Sequence, residues 1–318
     1  MTTTPRTGGR RVALVLAVLT VQAVALALAQ AAGRPTAYVA FMFLSAAALA
    51  AASDAGAPGA AAVTLGTVLL VALAFPLALF TARQDPALVA EKLADPDVHR
   101  MLYLSVYAPL LAAAFAVLTG VPLAYLLAKG FPGAAVVQSL VDLPLVVPHS
   151  VAGIVVLFGF GRAGAFPSLS VLGTTTGAVL ALAFVSAPFA VNGAREAFES
   201  LDPRLEHAAR VHGSTPLGAF LRVSLPLSAR GILTGGVLAW ARAVSEFGAV
   251  AVVAYTVRFF YPPAGEVVQS SLAPVFIFQT YTAGSLAESG AVAFLLLVVS
   301  VGIFLVIRTV AADGGRVL

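Results

Sequence analysis

The sequence contains no cysteine, which excludes disulfides, thiolate metal sites and cysteine nucleophiles from its chemistry. Charge is almost as scarce: 10% of the 318 residues are Asp, Glu, Lys or Arg, against about 25% in soluble domains. No Gly-x-x-x-x-Gly-Lys-Ser/Thr run occurs, so the chain has no P-loop with which to bind ATP. A Gly-x-Ser-x-Gly elbow and a His-Glu-x-x-His zinc motif are also missing. His149 makes no ligand set with the other histidines, since His99 lies in the loop from Arg83 to Arg100 and His207 and His212 lie in the stretch 195–230, so neither a catalytic residue nor a metal site is expected. What is abundant is apolar surface. With 60% hydrophobic residues and a mean hydropathy of +0.99, the chain has more of it than a globular core hides, and lipid is its natural solvent. The small excess of basic residues implies no nucleic-acid partner.

A bilayer core takes about 20 apolar helical residues to cross, and on that template about eight segments read as spans. They run approximately from Val12 to Ala32, Ala37 to Ala52, Ala60 to Thr81, Met101 to Ala128, Ala135 to Phe160, Thr174 to Asn192, Gly231 to Tyr255 and Ala287 to Ile307. The expected fold class is therefore an all-α polytopic transmembrane bundle. Its expected organisation is an N-terminal tail and hairpin over residues 1–56, then a core over 57–318. Arginines near span ends are retained in the cytoplasm, and Arg6, Arg10 and Arg11 place the N-terminus there. An even number of spans then puts the Arg-rich stretch 195–230 and the C-terminus on the same side. The loop from Arg83 to Arg100, where Asp85, Glu91, Asp95 and Asp97 outnumber the basic residues, falls outside. The first segment, with Ala27-Leu28-Ala29-Gln30 near its end, also reads as a cleavable signal peptide. An uncleaved anchor is the simpler reading, because removing one span would carry the Arg-rich loop to the wrong face.

That loop has the local signals of two short helices. Asp202 is placed to cap a helix start, with Pro203 in the first turn where no donor is needed. Gly213 suits the left-handed residue that ends such a helix, and Thr215-Pro216 restarts another. Leu217, Phe220 and Leu221 are expected to share a face, leaving Arg210 and Arg222 to solvent or an acidic partner. Such a pair is either a docking element or a solvated loop along the membrane surface.

Charges inside spans cost about 2.5–3.5 kcal/mol each on insertion scales and so need partners or water. Arg242 and Glu246, four apart in the seventh segment, have the spacing of a pair on one helical face. They read either as lining a pathway or gate, or as a structural ion pair. Asp142 and His149 flank a stretch with Pro144 and Pro148, prolines that bend a helix and are tolerated against protein or a water-filled cavity. His149 taken alone also reads as a histidine hydrogen-bonded inside the bundle.

The loop resembles the cytoplasmic signature of ABC importer permeases: Glu-Ala-Ala, three residues, Gly, nine residues, Ile, one residue, Leu-Pro. At that spacing stand His207, Ala208, Ala209, Gly213, Val223, Leu225 and Pro226, with the glutamate displaced by one position to Glu206. Val141–Gly153 and Trp240–Val250 extend the resemblance, which covers roughly Ala60 to Val310 and is closest to permeases of molybdate and tungstate importers of archaeal type. Sulfate permeases are similar enough to stand as an alternative. The resemblance implies a type I importer core of about six spans, a homodimer in the cytoplasmic membrane, two ATPase subunits that bind ATP and Mg, and an external oxyanion-binding protein. It also implies that the loop docks on the ATPase. Arg242 and Ser245 become candidate anion contacts. A secondary transporter, with Glu246 and Asp142 as coupling carboxylates, is the alternative from another class.

Overall fold

The computed structural model describes residues 20–52, 56–161, 164, 166, 168–169 and 171–313. Arg6, Arg10, Arg11 and the first part of the segment expected from Val12 lie outside them. The chain divides into two compact units, Met1–Gln84 and Asp85–Leu318. The first holds α1 (Thr20–Ala31), α2 (Pro35–Ala52) and α3 (Gly56–Ala82). The helix read from sequence as the first of the core thus groups with the N-terminal helices. Within this unit the Gln22 amide donates to Ser45 Oγ at 2.9 Å, a polar tie between α1 and α2.

The second unit opens on two helices that begin in the same way. Asp85 caps α4 (Pro86–Ala94) and Asp95 caps α5 (Pro96–Lys129), each with proline next in the chain and its carboxylate accepting a backbone amide, at 2.9 and 2.8 Å. Two of the acidic residues that mark this loop in the sequence are therefore helix caps. Lys92 of α4 pairs with Glu288 at 2.6 Å, at the start of α14 (Leu286–Asp313).

The centre is α8 (Thr175–Glu199), packed between α5 and α11 (Leu225–Val244). Small residues allow this. Ala108, Ala112, Ala116, Gly120 and Ala124 recur every fourth position along the buried side of α5, a ridge that lets backbones approach without a hydrophobic driving force from water. Gly193 of α8 meets Gly235 of α11 so closely that a Cβ on Gly193 would lie 2.7 Å from the Gly235 Cα.

Among the described residues, three helices are long and apolar enough to cross a membrane: α5, α8 and, over Leu286–Val306, α14. Two other expected spans are interrupted. The segment expected over Ala135–Phe160 is α6 (Ala134–Val146) and α7 (His149–Phe160), separated at Val147-Pro148, where the missing amide and the restricted residue before proline stop the ladder. The segment expected over Gly231–Tyr255 starts earlier, as α11, breaks at Ser245–Phe247 and resumes as α12 (Gly248–Val253). Between α9 (Pro203–Val211) and α11 lies α10 (Pro216–Ala219), which runs through one π-helical turn, Phe220–Ser224, into α11.

The all-α bundle expected from the sequence holds, with one short hairpin added after α12. Strands β1 (Val257–Tyr261) and β2 (Glu266–Ser270) form an antiparallel hairpin with Val257 opposite Ser270, followed by α13 (Ala273–Thr282). Alternating burial along Val257-Arg258-Phe259-Phe260 explains the strand: Val257 and Phe259 enter the core while Arg258 and Phe260 face out. Tyr103 of α5 stacks on Phe259 at 6.0 Å. The Ser105 hydroxyl, buried in α5, accepts the Ala273 amide at 2.7 Å and anchors the start of α13.

Candidate functional site

The loop between α8 and α11 folds as a helix, a sharp turn and a second helix. Asp202 accepts the Arg204 amide at 2.9 Å to start α9. The helix ends on Gly213 at φ +91°, with the Ser214 amide returning to the Ala209 carbonyl at 3.0 Å, a closure that needs a residue able to take positive φ. Thr215 then accepts the Gly218 amide at 3.0 Å and α10 begins. His207, Ala208, Arg210, Arg222 and Pro226 are exposed, and Ala209, Val223 and Leu225 are half-buried. Leu217 and Leu221 are left exposed, at 65% and 49%. Phe220 does not share their face as expected: its ring packs on Tyr125 at 4.6 Å and on Phe198 at 6.0 Å, because the π-turn begins at this residue and changes the phase of the helix.

Glu206, unlike its exposed neighbour His207, turns inward. Its carboxylate takes Lys129 Nζ at 2.6 Å, the Tyr125 hydroxyl at 3.2 Å and the Ser224 hydroxyl. These come from the end of α5 and from the π-turn that leads into α11. A cleft of about 290 Å³ lies beside them, bounded by Phe198, Asp202 and Leu205. Burial works to raise the Glu206 carboxyl, but hydrogen bonds from Lys129 and Ser224, the Lys129 charge and the Tyr125 hydroxyl outweigh it and hold it below the ordinary glutamate value.

A second cluster forms where the two helix breaks meet. α7 packs on α12 so closely that a Cβ on Gly153 would lie 2.7 Å from the Ala249 carbonyl oxygen, and one on Gly248 would lie 2.8 Å from the His149 Cβ. Glu246, in the break, is fully buried. Its Oε2 accepts from Arg242 Nη2 at 2.7 Å and lies 3.1 Å from His149 Nδ1; its Oε1 accepts the Ala249 amide at 2.8 Å and so caps the first turn of α12. Arg242 Nη2 also lies 2.9 Å from His149 Nε2, and about half of the imidazole is exposed. A buried carboxylate persists only when paired and hydrogen-bonded, and both conditions are met here.

Of the candidate pathway residues, the structure thus gathers His149, Arg242 and Glu246. Ser245 is exposed beside them, its hydroxyl donating to the Arg242 carbonyl at 3.0 Å. Asp142 does not join. Its two oxygens accept from Gln138 at 2.7 Å and Asn192 at 2.8 Å, a separate polar contact between α6 and α8. Sequence reasoning missed Gln138, Asn192, Tyr125, Lys129 and Ser224. Lys129 left one signal, a lone cation where an apolar run of spanning length stops.

Long apolar helices, two interrupted segments that meet at a buried ion pair, and an amphipathic helix pair between α8 and α11 together make this an integral membrane protein. The chain belongs to the family of binding-protein-dependent transport system inner membrane components, whose profile matches residues 116–312. It is 39% identical to the molybdate/tungstate transport system permease protein WtpB of Thermococcus kodakarensis over 247 residues, covering 77% of this chain and 92% of that one. Its identity to the probable sulfate transport system permease protein cysT of Nephroselmis olivacea is 29% over 260 residues, covering 79% and 88%. The fold resembles a chain of a bacterial ABC transporter that imports the acidic polysaccharide alginate, with a TM-score of 0.62 at 17% identity over 79% of this chain and 94% of that one. Members of this family are transport components, with no catalytic step of their own to assign.

Proposed function

We propose that this chain is the permease subunit of an ATP-binding cassette importer and that it carries an oxyanion, molybdate or tungstate. The observation that carries the reading is the 39% identity to the Thermococcus permease across 92% of that protein. The helix pair adds to it. Exposed Leu217 and Leu221, with Arg210 and Arg222 beside them, form a surface suited to a groove with an acidic rim on a partner. In this reading the stretch 195–230, with Glu206, His207, Ala208, Ala209, Gly213, Val223, Leu225 and Pro226, is the coupling loop. It faces the cytoplasm together with both termini. Two copies of the chain pair in the membrane above two ATPase subunits, which hold ATP and Mg, and an external binding protein delivers the anion.

The substrate passes near the paired breaks of α6–α7 and α11–α12. An anion reaching Arg242 meets a guanidinium already paired with Glu246, so this site favours passage over retention. Selectivity then falls to the binding protein. Sulfate is the second reading, favoured by the likeness to the cysT permease.

The test is uptake of labelled molybdate, tungstate and sulfate into vesicles holding the chain, its ATPase and its binding protein, with and without internal ATP. ATP-dependent uptake is expected, with molybdate or tungstate preferred. Uptake driven by an ion gradient without ATP would replace the importer with a secondary transporter.

A further inference from the structure

We propose that Glu206 is the strut that ties the α9 helix to the membrane-spanning helices, and that it is not itself a contact to the ATPase. The inference rests on the coupling role given above to the helix pair, and it assigns the parts within that role. A coupling element has two faces: one receives the partner's movement, the other hands it on. Adjacent residues on α9 divide along this line, since His207 is exposed and Glu206 is turned inward. The Glu206 side chain is 16% exposed and takes Lys129 Nζ at 2.6 Å.

The partners of Glu206 define what moves with it. Lys129 is the last residue of α5, where a cation is further favoured by the helix C-terminus. Ser224 closes the π-turn one residue before α11 begins, and the Tyr125 ring packs on Phe198 near the end of α8 at 5.4 Å and on Phe220 at 4.6 Å. One carboxylate therefore joins α9 to the ends of α5 and α11, and through Tyr125 to α8. These are the three helices that form the centre of the unit. An apolar contact at this place slides when α9 is pushed. A charge-assisted, several-pronged contact resists sliding, because each displaced oxygen loses a directional bond. The displacement of the glutamate by one position from the family pattern thus puts the carboxylate on the inner face and leaves histidine on the outer one.

The experiment compares Glu206→Gln, Lys129→Met and Lys129→Arg in the full transporter, reading ATPase retention on purification, ATP hydrolysis and uptake per ATP. Glu206→Gln and Lys129→Met are expected to keep the ATPase bound while uptake per ATP falls about tenfold, the scale of one lost charge-assisted hydrogen bond. Lys129→Arg is expected to retain most of the wild-type ratio. Loss of the ATPase in Glu206→Gln alone, with Lys129→Met normal, would make Glu206 a surface contact and overturn the proposal, as would normal coupling in both. The pair is also read in the isolated chain. A thermal double-mutant cycle on Glu206→Gln and Lys129→Met is expected to be non-additive, and additive losses would overturn the strut whatever the transport result. Wild-type vesicles without ATP-driven uptake would sink the importer reading instead, leaving the cycle to judge the contact.

Discussion

Glu246 is wholly buried one helical turn beyond Arg242, and the 2.7 Å bond between them closes over the point where α11 stops. The same carboxylate caps α12 through the Ala249 amide. The pair therefore holds the break in shape as well as neutralising its charge. Arg242→Glu would place a second carboxylate against the first and leave Glu246 without its cation. Breaking a buried pair from one side costs roughly 3–5 kcal/mol. Uptake is expected to vanish while the ATPase remains bound, because the α9–α10 helix pair proposed to dock it lies elsewhere in the fold. Full uptake in this variant would remove Arg242 and Glu246 from the pathway.

Gly213 stands at φ +91° with nothing within 4 Å of where a Cβ would sit. Crowding is therefore not the obstacle to substitution; backbone strain is, at about 1–3 kcal/mol for a residue forced into such a conformation. Gly213→Val is expected to open the turn between α9 and α10, weaken ATPase association and leave membrane insertion unchanged. Gly213→Asn, which tolerates positive φ better, is expected to lose less. Equal ATPase retention in wild type and Gly213→Val on co-purification would count against the turn as part of the docking surface.

The carboxyl of Glu206 is held below its ordinary value of 4.5, so the folded state binds this proton less readily than the unfolded chain. The stabilisation is fully present above the ordinary glutamate range and is lost as pH falls through the folded value. The melting temperature of the wild-type chain in detergent is expected to exceed that of Glu206→Gln at neutral pH, with the gap closing below pH 4.5. A gap that stays constant down to strongly acidic pH would mean that the carboxylate is not the stabilising species.

What was legible in the sequence is what neighbouring residues decide between themselves. Asp202 before Pro203, Gly213 and Thr215 before Pro216 each act within four residues, and the helix pair stands where they place it. Pro144 and Pro148 marked the disturbance in the fifth expected span for the same reason. The break at Ser245–Phe247 has no proline to announce it. It is stabilised by the Glu246 cap, whose carboxylate is steadied by His149 from another helix, and so the segment reads as continuous. The β-hairpin was lost in a similar way, since its alternation is short and its buried residues find their partners on α5.

The sequence by itself determined that this is a membrane chain, and it placed the turn at Gly213 and the pair Arg242–Glu246, because composition, capping and helical spacing are local properties. Tertiary structure alone decided the rest: that His149 joins Glu246 while Asp142 turns to Asn192, and that Glu206 faces Lys129 while His207 faces out. The physical reason is one of distance along the chain. A buried charge must find its counter-charge wherever packing brings one within bonding reach, and helices many residues apart meet only after small-residue ridges such as the one on α5 have set how closely they approach.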